Sequence, residues 1–297
     1  MHLPLIKSRG DLFNSKSFKE ALKRGVPIEV RGEVWEALLG NEQRINETLY
    51  KALLTRVQLA ENNIQHDQAF KQNIKVIEDD LHRTHIDAGL FRVGQLLHQP
   101  LKNILAAYSV YRPDLGYVQG MSYVAASMLM HTGDEFLGFK CFASMMNKPL
   151  IYNFYSFDMP RINIFFHIFM RLLKEKNAKL GQIFDEYQIQ PSVFLFEWVV
   201  VLFSNILHLD ASARIWDNYF LYGDWYLMKV CLAICSCLSE KLVAGNFEMI
   251  IVLFKQVKQY VSQEEIFKAV DASKLTEQQY EEVRLKVESE PSLVRFI

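Results

Sequence analysis

The sequence carries almost no net charge, because 33 basic and 34 acidic residues nearly cancel over its 297 positions. It also lacks a basic tract. Proteins that bind nucleic acid, or that dock on anionic membranes by charge alone, concentrate Lys and Arg on one segment or face. Neither kind of partner is therefore expected, and recognition should depend on shape and local chemistry.

Long uninterrupted apolar runs are missing as well. The longest apolar stretch, residues 193–209, is interrupted by Glu197, Ser204, Asn205 and His208. It is also shorter than the run of about 20 apolar residues that a membrane-spanning helix needs. The apolar run at the N-terminus is too short for a secretory signal. We expect a buried helix over residues 193–209 and no direct insertion into a membrane.

Cysteine is scarce, with four residues at positions 141, 231, 235 and 237. Three of them lie in one apolar segment, without the second pair of ligands or the histidines that a zinc site requires. Reduced cysteines in the core of a cytoplasmic protein are the favoured interpretation. No metal site is predicted.

The chain shows no linker rich in Pro, Gly and Ser, no strand-like alternation and no repeat of about 20–50 residues. Half of the residues are hydrophobic, which is enough to bury a substantial core. We predict an all-α protein with a lead-in segment over residues 1–20 and a single large domain over 21–297. A lysine-rich turn near 174–180 is expected to separate an N-terminal half, 21–175, from a C-terminal half, 176–297.

The first motif has the form Ile-x-x-Asp-x-x-Arg. If this segment is helical, Ile74, Ile77 and Leu81 form one buried stripe, and Asp80 and Arg83 lie three residues apart to one side of it. The carboxylate can then hold the guanidinium in one direction, within the last helical turn. An ordinary surface ion pair, contributing about 0.2–0.5 kcal/mol to the helix, is the alternative.

The second motif is Tyr-x-Gln-Gly-Met over residues 117–121. A turn precedes it and helical periodicity begins at Met121, so Gln119 is expected near a helix start. Such a start presents free amide groups and the positive end of the helix dipole, and Gly120 allows a partner's backbone to approach closely. The arrangement suits a carboxamide that faces a phosphate-rich ligand. A simple capping role for Gln119 is the alternative.

Two further motifs flank these. Arg31 and Trp35 fall on one face of a predicted helix, where an indole in the core with an arginine extended over it is the expected packing. Arg214, Trp216 and Asp217 belong to an Arg-Ile-Trp-Asp segment in the second half of the chain.

In this order, the four motifs resemble the fingerprint of the TBC-domain GTPase-activating proteins that act on Rab GTPases. The resemblance extends over about residues 25–260. It implies an all-helical, roughly V-shaped domain of two halves and a dual-finger mechanism, with Arg83 as the arginine finger and Gln119 as the glutamine finger. Asp80, Tyr117, Gly120 and Arg31 would support the fingers or contact the GTPase. The structural positions would be Trp35, Ile77, Met121, Arg214, Trp216 and Asp217.

The partner implied by the resemblance is a Rab-family small GTPase in its GTP-bound state, which brings its own GTP and Mg²⁺. No cofactor of the chain's own is therefore expected. The implied role is in vesicle trafficking, at a cytoplasmic location that is peripheral on endomembranes through the Rab. The alternatives are a TBC fold that binds a Rab or scaffolds without catalysis, and a helical scaffold with accidental motif matches.

The sequence departs from the family pattern at two positions. Ser122 stands where many members have Asn or Asp, and His85 stands where an aromatic residue is frequent. Neither is a finger, so both are expected to affect the choice of substrate more than activity.

Overall fold

The computed structural model describes residues 14–62 and 68–290, and within these ranges the protein is helical with no β-strand. The predicted all-α class is confirmed. No helix in the described ranges combines the length and the apolar composition needed to cross a membrane. The chain divides into two compact units between Tyr155 and Ser156.

The first unit contains eight α-helices in its described residues, and it carries the first three motifs. Its helices are α1 (Lys16–Arg24), α2 (Ile28–Leu39), α3 (Glu47–Asn62), α4 (Gln68–Leu81), α5 (His98–Tyr111), α6 (Met121–Thr132), α7 (Glu135–Met146) and α8 (Pro149–Tyr155). A short 3₁₀ turn, Ile86–Ala88, lies between α4 and α5. The predicted lead-in is shorter than residues 1–20, because α1 begins at Lys16 and its Phe18 is buried.

Helix α6 forms the centre of the first unit, and it is buried on nearly every side. Helices α2, α5 and α7 all contact it. Two glycines allow close approach. A Cβ at Gly32 of α2 would lie 2.7 Å from the carbonyl oxygen of His131, and one at Gly138 of α7 would lie 3.4 Å from the Cα of Leu129. This close packing is at the C-terminal end of α6, and it fixes within the unit the helix that begins at the glutamine motif.

The second unit contains the remaining helices of the described residues. They are α9 (Met159–Lys176), α10 (Ala178–Glu186), α11 (Ser192–Val200), α12 (Leu209–Tyr222), α13 (Asp224–Cys237), α14 (Ser239–Ala244), α15 (Phe247–Lys255), α16 (Val257–Tyr260), α17 (Gln263–Ala272) and α18 (Glu277–Glu288). Aromatic rings dominate its core. Phe194 stacks on Phe254 at a centroid distance of 4.0 Å, and the Trp198 indole donates to the Phe254 carbonyl at 3.0 Å.

The turn near residues 174–180 does not mark the division between the units. It is the connection between α9 and α10, both of which belong to the second unit. Asn177 caps α10 by accepting from the Leu180 amide at 3.1 Å, and Leu173 and Leu180 on either side are buried. Exposed lysines give this turn the composition of a boundary, whereas the buried leucines tie both helices to one core.

Candidate functional site

The arginine of the first motif lies just beyond a helix. Ile77 and Leu81 are fully buried and anchor the end of α4. The chain then tightens, because the Arg83 amide donates to the Asp80 carbonyl at 3.1 Å and His85 adopts a left-handed conformation with φ of 43°. The sequence predicted Arg83 in the last helical turn, but the residue lies just after the helix ends. Its side chain is half exposed and bonds back to Asp80 in the last turn of α4.

A buried carboxylate orients the Arg83 guanidinium. Asp80 Oδ1 accepts from Arg83 Nε at 2.9 Å and also from Nη2. The Asp80 side chain is 3% exposed, whereas the Arg83 side chain is 48% exposed. Partial desolvation lowers the pKa of Arg83, but the hydrogen bond and charge of Asp80 raise it by more, so the guanidinium stays charged. The result is an exposed positive group with a fixed direction.

Tyr117 hydrogen-bonds to the second oxygen of the same carboxylate. Its hydroxyl donates to Asp80 Oδ2 at 2.7 Å. Burial raises the pKa of Tyr117 well above its ordinary value, and the nearby carboxylate raises it further, so the phenol keeps its proton and remains a donor. Both oxygens of Asp80 thus have partners, which limits the rotation of the carboxylate and of the guanidinium bonded to it.

Gln119 lies directly beside Arg83. Gly120, with φ of 103°, forms the N-cap of α6, and Met121 is fully buried behind it. The exposed Gln119 side chain satisfies its neighbours when its carboxamide oxygen faces Arg83, where it accepts from Nη1 at 3.1 Å and from Nη2. The left-handed conformation favours glycine at 120. The structure therefore brings together the two residues that the sequence separates by a helix.

Hydroxyl groups that the sequence did not predict as part of the site hydrogen-bond to the backbone of Asp80 and Arg83. Thr84 Oγ1 donates to the Asp80 carbonyl at 2.7 Å and lies 2.8 Å from Ser122 Oγ. The Tyr123 hydroxyl donates to the Arg83 carbonyl at 3.0 Å. Ser122 was predicted only as a departure that affects substrate choice. The sole signal in the sequence was that these polar residues adjoin the two motifs.

His85, the other departure from the family pattern, is also part of this support. It is buried, and its Nε2 lies 3.2 Å from both the Tyr123 carbonyl and Ser127 Oγ. Its ring meets the Tyr123 ring edge-on at 5.2 Å. The histidine therefore helps to position the tyrosine that holds the Arg83 backbone.

Comparison with known proteins identifies the family. A family model described as the Rab-GTPase-TBC domain matches residues 28–243, most of the chain. The chain belongs to the Rab-GTPase-TBC domain family. TBC1 domain family member 12 from Mus musculus is 30% identical over 270 residues, covering 87% of this chain and 39% of that protein. Drainin from Dictyostelium discoideum is 24% identical over 328 residues, covering 95% of this chain and 74% of that protein.

Solved structures share the TBC fold. The Chlamydomonas flagellar RabGAP TBC domain has a TM-score of 0.73 at 23% identity, covering 88% of this chain and 84% of that one. The Ypt/Rab-GAP domain of Gyp1p has a TM-score of 0.68 at 19% identity, covering 89% and 91%. This chain spans 39% of the length of the mouse relative, so that protein extends well beyond the region matched here.

The motif of Arg31 and Trp35 in this TBC domain lies outside the group of residues that hydrogen-bond around Asp80. Arg31 is 7% exposed and Trp35 is fully buried on α2, where the indole meets the His131 ring at 4.8 Å. Burial, together with the Arg31 charge, lowers the pKa of His131 to about 3. Arg31, which the family resemblance assigned to supporting the fingers or contacting the GTPase, is therefore buried near His131, and that role stays a prediction.

The Arg-Ile-Trp-Asp motif of the TBC domain, which contains Arg214, packs within the second unit. Trp216 and Asp217 are fully buried, and the Trp216 indole donates to the Leu202 carbonyl at 2.7 Å. The Arg214 guanidinium lies 3.8 Å from the centre of the Phe267 ring. The motif therefore packs within the second unit, and the structural role expected for it stays a prediction.

The described residues contain no cluster of three His, Cys, Asp or Glu side chains placed to hold a metal ion. The four cysteines are free, and Cys141, Cys231 and Cys235 are buried. Burial raises the pKa of Cys141 to about 12, so this side chain is a neutral thiol in the core.

Proposed function

We propose that this TBC domain stimulates GTP hydrolysis by a Rab-family small GTPase in its GTP-bound state, and that Arg83 and Gln119 act in trans. Membership of the family supports a role towards Rab GTPases. The observation that carries the mechanism is the exposed pair itself, a guanidinium and a carboxamide in contact, with the guanidinium held by a buried carboxylate.

The proposed role of Arg83 is electrostatic. Negative charge develops on the phosphate oxygens as the γ-phosphoryl group is transferred, and a GTPase alone neutralises it incompletely. A guanidinium already oriented by Asp80 can stabilise this charge with little reorganisation. Arginine fingers in GTPase systems accelerate hydrolysis by about 10³–10⁵-fold.

The proposed role of Gln119 is to orient the attacking water. A carboxamide carries both an acceptor and a donor, so it can accept from the water while it donates towards the phosphate. Its contact with Arg83 keeps both side chains at one point of the surface before the GTPase binds. Mg²⁺ and GTP arrive with the GTPase, and the chain supplies no cofactor of its own. The cellular role would be control of vesicle trafficking at endomembranes that the Rab marks.

Phosphate release from a panel of GTP-loaded Rab proteins tests the proposal. The protein, Arg83→Ala and Gln119→Ala are compared with the control Arg284→Ala, which removes another partly exposed, carboxylate-paired arginine. We expect acceleration of one or a few Rabs by the protein and the control, and its loss in both finger variants. Binding to a Rab without acceleration would contradict the catalytic proposal and favour a Rab-binding module.

A further inference from the structure

A loop with an exposed apolar tip lies shortly after the arginine finger in the chain. The Leu97 amide donates to the Leu90 carbonyl at 3.2 Å and closes the loop, and the Gln95 amide donates to the Arg92 carbonyl at 2.9 Å within it. We call residues Leu90–Leu97 the apolar loop. Its Leu96 is 82% exposed and its Val93 68% exposed, more than any other large apolar side chain in the described residues.

The base of the apolar loop is firmly attached to the first unit. Phe91 is 1% exposed, and its carbonyl lies 2.8 Å from His98 Nδ1, at the start of α5. Gly94, with φ of 84°, allows the tip to reverse direction. A closed loop with a buried anchor presents its tip in a defined position, which reduces the entropy that a partner would have to overcome.

Three contacts connect the apolar loop to the finger. The Phe91 ring lies 6.3 Å from the His85 ring, which meets the Tyr123 ring at 5.2 Å. The Tyr123 hydroxyl in turn donates to the Arg83 carbonyl at 3.0 Å. Ile86 lies between Arg83 and the apolar loop in the sequence, and it is 53% exposed. The base of the loop and the backbone of the finger therefore share one support.

Single exposed apolar side chains are common on proteins, but a group of them beside a charged site is typical of a protein contact. We propose that the apolar loop and Ile86 bind apolar side chains on the GTPase surface that borders the nucleotide. This inference rests on the proposed function. The loop touches no reacting atom, so it contributes equally to the ground state and the transition state. It therefore determines affinity and the choice of GTPase, and leaves the maximal rate unchanged.

The test uses the double variant Val93→Ser/Leu96→Ser with the Rab that the protein accelerates most. Steady-state phosphate release gives kcat and KM, and titration with the Rab loaded with a non-hydrolysable GTP analogue gives Kd. Loss of two apolar side chains that become buried when the GTPase binds should raise KM and Kd by about 10–100-fold, with kcat within about twofold. The control Leu285→Ser, also highly exposed but in the second unit, should leave all three constants unchanged.

The conservative variant Leu96→Met keeps an apolar tip and should retain the KM of the unchanged protein. A double variant with unchanged KM and Kd, or one that loses kcat alone, would overturn the inference while the proposed function stands. If the protein binds a Rab without accelerating it, a weaker Kd for the double variant still supports the docking role. Absence of both acceleration and binding across the panel contradicts the docking role and the proposed function together.

Discussion

The chain contains the same pair of residues at the same spacing in two regions, with opposite outcomes. Asp80 and Arg83 lie three residues apart in the first unit, and Arg214 and Asp217 lie three residues apart, in reverse order, in the second. Both carboxylates are buried. The Arg83 side chain is 48% exposed, whereas the Arg214 guanidinium lies on the Phe267 ring. The same two residue types at one spacing can therefore orient a charge for a partner or pack a core.

The difference arises from where each arginine lies relative to its helix and from the neighbour it meets. Arg83 lies in a turn beyond the end of α4, where its side chain bonds to Asp80 and stays half exposed. Arg214 lies within α12, and α17 presents Phe267 directly to it. A cation on an aromatic face is stabilised by about 0.5–2 kcal/mol, depending on its desolvation. The tertiary neighbour decides whether the charge is available to another molecule.

The largest effect should come from removing each arginine in turn. Arg83→Ala is expected to reduce the stimulated GTP hydrolysis by the Rab by about 10³-fold or more at a temperature where the variant is folded, and also to lower the melting temperature, because Asp80 Oδ1 loses its partner. Arg214→Ala is expected to lower the melting temperature and leave the activity of the folded protein intact. Phosphate release and thermal denaturation measured on both variants separate the two roles. Full activity of Arg83→Ala would contradict the proposed catalytic role of Arg83.

A smaller effect should result from removing the group that positions each arginine. Tyr117→Phe deletes the donor to Asp80 Oδ2 and leaves a buried carboxylate oxygen without that partner, which costs about 1–3 kcal/mol. We expect both stability and stimulated hydrolysis to fall. The matched variant Phe267→Leu removes the ring beneath Arg214 and should lower stability alone. Equal loss of activity in both variants would show that the effect is general destabilisation.

The smallest effect concerns a third arginine, Arg31, which is buried near His131. The pKa of His131 falls from about 6.5 to about 3 on folding. The unfolded chain therefore binds more protons than the folded protein between these values, so stability decreases as the pH falls from 6.5 towards 3. This site should cost about 1 kcal/mol between pH 6.5 and pH 5.5.

The variant His131→Gln isolates this contribution. Denaturant unfolding at a series of pH values should show a shallower loss of stability for the variant than for the unchanged protein. Parallel profiles would mean that His131 does not titrate differently in the two states.

Much of the site could be predicted from sequence patterns, because these patterns reflect local geometry. The burial of Ile77 and Leu81 is expected from helical periodicity, and the helix start at Met121 is expected from the preceding turn and the periodicity that begins there. The position of Arg83 beyond the helix could not be predicted, since i→i+3 bonding and the left-handed His85 depend on local packing. The burial of Arg31 was also missed, because it depends on the approach of α2 to α6 through Gly32.

The hydrogen bonds that support Arg83 and Asp80 were missed for a similar reason. Thr84, Ser122 and Tyr123 are ordinary polar residues whose role depends on the contact between two segments that are far apart in the chain. No local pattern encodes such a contact. The boundary of the units was misplaced because a turn with exposed lysines resembles a linker when the burial of its neighbours is unknown.

The sequence by itself determined the helical class, the family and the four motifs, because periodicity, turn residues and motif spacing act over short stretches of chain. Tertiary structure alone decided that Arg83 and Gln119 are in contact, that Asp80 serves Tyr117 as well, and that Arg214 is covered by Phe267. These facts depend on packing between helices, which places side chains from distant segments within hydrogen-bonding distance or buries them against a ring.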